Sequence, residues 1–212
     1  MTAMTVVAQE LLNKTWTNGD IQYKGERDGK VLHFEGYDDH EGGFFFSLGE
    51  PVKGKRPLVE KYKDYGYGYY YDGGTAEYKR LNGQELLIIR DKKGKLTDVL
   101  VVGTYETVPG TKTAVINSVS RTGIPGKYPF TSIRVMIWKE LAVFTLDELD
   151  IMRNEIFARH GHTFKTAKYR DYFNAQSWYE ASVNDVSNRL TEIEQLNVEQ
   201  IVRIQNFKRN AS

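Results

Sequence analysis

The residues best suited to chemistry lie in one short stretch: Arg153, Glu155, Arg159 and His160. A glutamate beside a histidine can move protons, and two arginines can clamp an anion through paired hydrogen bonds. Their spacing points first to a helix. Glu155 and Arg159 sit one turn apart, which predicts an ion pair on the helix surface. Leu149, Met152, Ile156 and His160 form one apolar stripe that ends on the histidine. In the last turn its ring can bond terminal carbonyls and, when charged, favour the helix dipole. The same pattern therefore admits two outcomes. One is a polar network, including Asn154, that fixes helix packing; the other is a ligand contact through Arg153 and Arg159.

Other centres are poorer. His160 and His162 flank a glycine without a further clear ligand, and the remaining histidines are His33 and His40, so no metal site is expected. Asp38-Asp39-His40-Glu41 offers oxygen atoms, but a calcium loop needs wider spacing and a defined turn. It reads as a solvated turn. The chain contains no cysteine, which excludes disulfides, thiolate zinc sites and thiol nucleophiles. There is no nucleophile elbow, phosphate-binding loop, dinucleotide fingerprint or zinc-protease helix. Thr104, Ser118 and Ser120 have no neighbours that would activate them. No catalytic residue is assigned and no cofactor is expected.

The strongest binding candidate is aromatic. Tyr62, Tyr65, Tyr67, Tyr69, Tyr70, Tyr71 and Tyr78 gather around Gly66, Gly68 and Gly73-Gly74. Consecutive side chains on a strand point to opposite faces, so some of these rings stay exposed or line a cavity. Exposed tyrosines bind sugars, peptides and protein surfaces at low entropic cost. The alternative is a hairpin of amphipathic cross-strand pairs.

These residues need a scaffold, and the sequence supplies two patterns. From Thr15 to Tyr105, short runs rich in Val, Ile, Tyr and Phe alternate with turn signals. Expected strands are Ile21–Glu26, Val31–Tyr37, Gly43–Leu48, Leu58–Tyr62, Thr75–Arg80, Glu85–Arg90 and Leu96–Thr104. Asn18-Gly19, Asp28-Gly29, Asp72-Gly73-Gly74 and Asn82-Gly83 mark turns, where such pairs supply positive φ. An antiparallel meander follows, either a small barrel or a curved sheet packed on a helix. Thr113–Val119 reads as a further strand-like run. From Phe144 the period becomes helical. Thr145 with Glu148 and Thr191 with Glu194 are capping boxes, and Phe144 with Leu149 fits a hydrophobic staple. Gly161 ends the first helix; Ala167–Asn174 and Glu192–Ile204 are the next two. The boundary falls near Gly123–Gly126, giving a β domain at 1–124 and a helical domain at 125–212. The expected class is α+β.

The string Arg153-Asn154-Glu155-Ile156-Phe157-Ala158-Arg159-His160-Gly161-His162-Thr163-Phe164 resembles the signature of the bacterial YARHG domain, with Phe157 in place of its tyrosine. Arg134 upstream, Tyr172-Phe173 and Trp178-Tyr179 downstream, and the helix from Leu190 to Asn197 extend the resemblance from about Tyr128 to Gln205. The resemblance implies a compact three-helix fold, with Asn154, Glu155, Phe157, His160, Gly161 and Trp178 as its structural motif. It also implies an exported or envelope setting: periplasmic, cell-surface or secreted. It implies no known reaction. Residues 1 to 120 lie outside it.

Composition narrows the function. The 29 basic and 28 acidic residues leave a formal charge of +1, without the excess a general nucleic-acid binder uses to neutralise phosphates. No segment is long and apolar enough to span a bilayer as a helix. Val6-Val7-Ala8-Gln9-Glu10 resembles the end of a secretory signal cut near Ala8; the alternative is an ordinary start entering a short helix through Ala8, Leu11 and Leu12. The expectation is a non-enzymatic envelope or secreted binding protein, its partner a glycan, a peptide or an envelope protein. Two rivals stand beside it: an inhibitor or immunity-type protein with a flat contact patch, and a hydrolase whose acid/base pair leaves no local motif.

Overall fold

The computed structural model describes residues 9–38, 42–63, 73–117 and 123–211. Its contacts divide the chain into two units, Met1–Val108 with Ile137–Lys139, and Pro109–Met136 with Glu140–Ser212. In the first unit eight strands follow in chain order: β1 (Thr15–Thr17), β2 (Gln22–Asp28), β3 (Val31–Asp38), β4 (Gly42–Leu48), β5 (Lys55–Lys63), β6 (Thr75–Leu81), β7 (Gln84–Arg90) and β8 (Leu96–Val102). Each pairs antiparallel with the next. β1 also pairs with β8, Trp16 against Val102, so the sheet closes into a barrel. Of the two forms the sequence allowed, the closed one is present. Closure removes the edges that an open meander would offer to other chains. β1 was not among the expected strands; three residues between a helical turn and an Asn-Gly turn carry too little alternation to stand out.

The barrel interior is built by period-two alternation. Leu32 and Phe34 of β3 and Phe46 and Leu48 of β4 are buried, and the cross-strand partners Phe34 and Phe46 stack at 4.7 Å. Gly36 faces Tyr23, and a Cβ there would stand 2.6 Å from the tyrosine ring. At Gly25 a Cβ would meet Phe34 and Leu12 in the same way. Glycine is needed at both positions because neighbouring side chains already fill the space. A helical turn at residues 9–12 adds Leu11 and Leu12 to this core. Trp16 is fully buried; its indole N–H donates to the Leu11 carbonyl at 2.8 Å and its ring meets Tyr78 edge-on. On β7, Leu86 to Ile89 are buried without interruption, so that strand is covered on both faces.

The remaining chain forms helices α1 (Lys112–Asn117), α2 (Trp138–Ala142), α3 (Leu146–Arg159), α4 (Ala167–Asn174) and α5 (Glu192–Asn210), with a 3-10 turn at Pro129–Ser132. Three helices were expected, and α3, α4 and α5 are those three. Over Thr113 to Asn117, α1 overturns the strand-like reading of Thr113–Val119, whose last two residues lie outside the described ones. Its β-branched residues favour strands, but Thr111 caps a helical turn instead: its hydroxyl accepts from the Ala114 N–H at 3.2 Å. Both capping boxes close in both directions, at Thr145 with Glu148 and at Thr191 with Glu194. Leu149, Met152 and Ile156 are fully buried, as their spacing requires. Tyr128, Phe130 and Phe144 meet around a second core.

Trp16 supplies both ring volume and a hydrogen bond to the barrel core. Trp16→Ala should cost about 3–5 kcal/mol in chemical denaturation, and Trp16→Phe less. A Trp16→Ala protein as stable as the parent would show that the core does not depend on this ring.

Candidate functional site

Glu155 and Arg159 of α3 form an ion pair, with side chains 1% and 6% exposed. The expected surface pair is therefore a buried one. The chain from Pro125 to Ser132 folds over it, a cover that helical spacing alone does not reveal. The Glu155 carboxylate accepts the backbone N–H of Tyr128 at 2.7 Å and of Lys127 at 2.8 Å. Arg159 donates to the carbonyls of Pro125 and Tyr128, to the hydroxyls of Thr131 and Ser132, and to Glu155. A guanidinium has five N–H groups, and these partners use them all. Gly126 at φ 108° completes the cover, since a Cβ there would collide with the Glu155 carboxylate. Burial pushes the Glu155 carboxyl above its usual range, against the pull of Arg159 and the two backbone donors.

His160 follows at the end of α3. Its Nε2 lies 2.8 Å from Glu194, so its partner is a carboxylate of α5 rather than the terminal carbonyls of its own helix. Glu194 is 3% exposed and also accepts from the Ser132 hydroxyl at 2.6 Å and from the Thr191 backbone N–H at 2.9 Å. Burial opposes its ionised form, but the bonds from Ser132, Thr191 and His160 outweigh it and hold the carboxyl below its ordinary range. Gly161 takes φ 81° and leaves no room for a side chain beside Ser182. Its carbonyl accepts from the N–H groups of Ser182 and Val183. One glycine thus ends α3 and receives a returning strand-like segment.

The remaining motif residues take structural positions. Asn154 donates to the Asp150 carbonyl at 2.8 Å. Arg153 bonds Gln205 of α5 at 3.2 Å and lies 4.0 Å from Asp150. Phe157 and Trp178 are half-buried against a satellite cluster around Phe164 and Phe173. The His162 ring stands edge-on to Phe164 while His160 faces Glu194, so the two imidazoles serve different partners. Arg134 pairs with Glu140 through both guanidinium ends. Among the described residues, no group of three His, Asp or Glu could hold a metal ion.

The spacing along α5 gives a stripe of Ile193, Leu196 or Asn197, Ile201 and Ile204, and both Leu196 and Asn197 are buried; what spacing does not show is the polar role of Asn197. Asn197 is fully buried, accepts from the Met136 N–H at 2.7 Å, and donates to the carbonyls of Thr131 and Arg134.

Of the tyrosine cluster, Tyr65, Tyr67, Tyr69, Tyr70 and Tyr71 lie outside the described residues, and so does the Asp39-His40-Glu41 turn. Tyr62 contributes its backbone to β5, opposite Phe45. Tyr78 packs on the barrel core, and its hydroxyl donates to Glu85 at 2.7 Å while accepting from Arg80. Burial and Glu85 push its pKa up to about 12, against Arg80. Lys14 reaches the same Glu85 and, ahead of the other groups there, holds that carboxyl low.

Asn197→Ala removes a partner from three backbone groups, two of them in buried bonds, and should cost about 3 kcal/mol in thermal or chemical unfolding. A loss under about 1 kcal/mol would mean that other groups replace it. Glu194 yields a pH signature. Its folded pKa is depressed, so its contribution is complete above the ordinary glutamate value of about 4.3 and is lost as pH falls through the folded value. The stability gap between the parent and Glu194→Gln should narrow as pH drops below about 4; a gap that is constant with pH would contradict this assignment.

No curated protein and no solved structure matches the chain. The family model that matches is the YARHG domain, over residues 132–206, and the N-terminal region has no family match. The buried pair, the His160–Glu194 contact and Asn197 lie within those residues, and a YARHG domain is present in the C-terminal part of this chain.

Proposed function

We propose that this chain is a non-enzymatic binding protein of the bacterial envelope or exterior, in which the YARHG domain is a rigid support and the β-barrel unit carries the contact surface. The observation that carries the reading is the use of the motif's charges. All five N–H groups of Arg159 are bonded within the protein, and the carboxylates of Glu155 and Glu194 are occupied by internal donors. A group so bonded has little left with which to grip a substrate or move a proton during a reaction. Recognition then falls to side chains outside this network. The tyrosine-rich stretch from Tyr65 to Tyr71 is the best suited by residue type, with Arg153 as a secondary contact. Its partner is a glycan, a peptide or an envelope protein. Among the described residues, no helix is long and apolar enough to cross a membrane.

The test is a binding screen of the full chain against cell-wall glycan fragments, peptides and envelope extracts, repeated with Tyr67, Tyr69 and Tyr71 replaced by alanine together. The variant should keep the parent's melting temperature and bind at least about tenfold more weakly, a change of about 1.4 kcal/mol. A variant that loses its fold would make these tyrosines core residues, and one that binds as before would place recognition elsewhere.

A further inference from the structure

Period-two alternation turns two arginines toward the inside of the barrel at one of its mouths. Arg56 of β5 shares a face with Leu58 and pairs with Ala76, both of the barrel core. Arg27 of β2 shares a face with Tyr23 and pairs with Leu32, which are core residues as well. The ladder makes the two arginines neighbours. Leu32 pairs with Leu48, and Arg56 donates from Nη1 to the carbonyl of the next residue, Gly49, at 2.8 Å. Arg56 is 6% exposed, whereas Arg27 is open to solvent. Other cations of the barrel unit find carboxylates: Lys14 reaches Glu85, Arg80 reaches Glu10 and Glu85, and Lys30 lies 3.7 Å from Glu50. Among the described residues, no carboxylate stands within ion-pair distance of Arg27 or Arg56. Burial, and after it the charge of Arg27, push the Arg56 guanidinium below its ordinary value, while Glu50 pulls less strongly the other way.

We propose that this mouth of the barrel is an anion site for a phosphate-class oxyanion, with Arg56 as the buried contact and Arg27 as the exposed one. A buried charge without an opposite partner is costly, and a like charge beside it adds to the cost. An apolar side chain at position 56 would fill the same inward place without that cost. The guanidinium there calls for an anion that the described residues do not supply. Its N–H groups form a planar fork that matches paired oxygens. The bond from Nη1 to Gly49 fixes that fork against the end of β4, so it is set in place before a ligand arrives. Phosphate is favoured over carboxylate by charge. A phosphate monoester carries about −1.5 to −2 near neutral pH, which answers both arginines; a carboxylate answers one. Arg27 on the rim meets the anion from solvent, and Arg56 holds it through directed hydrogen bonds. The site does not rest on the tyrosine-rich stretch.

The experiment titrates the full chain with inorganic phosphate, glycerol phosphate and acetate by calorimetry near neutral pH. Sodium chloride holds the ionic strength constant, and the melting temperature is followed in parallel. Phosphate should bind the parent and raise its melting temperature. Arg56→Gln, whose amide can still donate to the Gly49 carbonyl, should bind phosphate at least about tenfold more weakly, and Arg27→Gln at least about threefold. Should Arg56→Gln fail to fold, Arg27→Gln, a change on an exposed side chain, still decides. Binding of glycerol phosphate as well as phosphate makes the ligand a phosphate ester, and binding of phosphate alone makes it the free ion; both outcomes support the site. The proposal is overturned by an absent phosphate response, by an acetate response equal to that of phosphate, or by unchanged phosphate affinity in the folded variants.

Discussion

A buried carboxylate has to find donors for its oxygens, and in the helical unit Glu155 finds them on the segment that covers it. The backbone N–H groups of Lys127 and Tyr128 point at its oxygens, and Arg159 supplies the opposite charge. Those donors lie on an irregular segment that enters the 3-10 turn at Pro129, where N–H groups are not committed to a helix or strand. The segment leaves them to Glu155, and Gly126 permits the close approach. Arg159 then ties the carbonyls of Pro125 and Tyr128 to the same point. Removing one partner would leave a buried charge alone, which costs far more than the pair contributes. That asymmetry is a physical reason for the two residues to occur together one turn apart.

α5 continues the same logic along its length. Glu194 takes the hydroxyl of Ser132, Asn197 reads backbone groups at Thr131, Arg134 and Met136, and Gln200 donates to the Met136 carbonyl. One helix thus reaches, rung by rung, backbone groups of the segment from Thr131 to Met136. Apolar residues at these places would bury similar area but would leave those backbone groups unpaired. Hydrogen bonds also impose direction where packing does not. Glu194, Asn197 and Gln200 therefore fix the register of residues 132 to 136 as well as their distance from the helix.

How much of this was legible in the sequence depends on how far apart the interacting residues stand. The capping boxes at Thr145 and Thr191, the glycine at 161 and the stripe through Leu149, Met152 and Ile156 are local patterns, and each is present. The alternation that placed seven strands is local too. The burial of Glu155 was not legible, because its cover comes from residues 27 and 28 positions away. His160 likewise found its partner 34 positions away. β1 was too short for alternation to register, and α1 was hidden because its β-branched residues favour a strand while its cap lies on Thr111.

The barrel constrains where recognition can occur. Gly25 and Gly36 show an interior already filled by Phe34, Leu12, Tyr23 and Ile21, so this part of the lumen has no space to give a ligand. Adding a single Cβ there would require those side chains to move. The polar end formed by Lys14, Tyr78, Arg80 and Glu85 is likewise occupied by its own ion pairs and hydrogen bonds. A sheet that closes without edges also cannot recruit a partner by adding a strand at a paired position. What such a barrel has to vary is its connections and its outward-facing side chains.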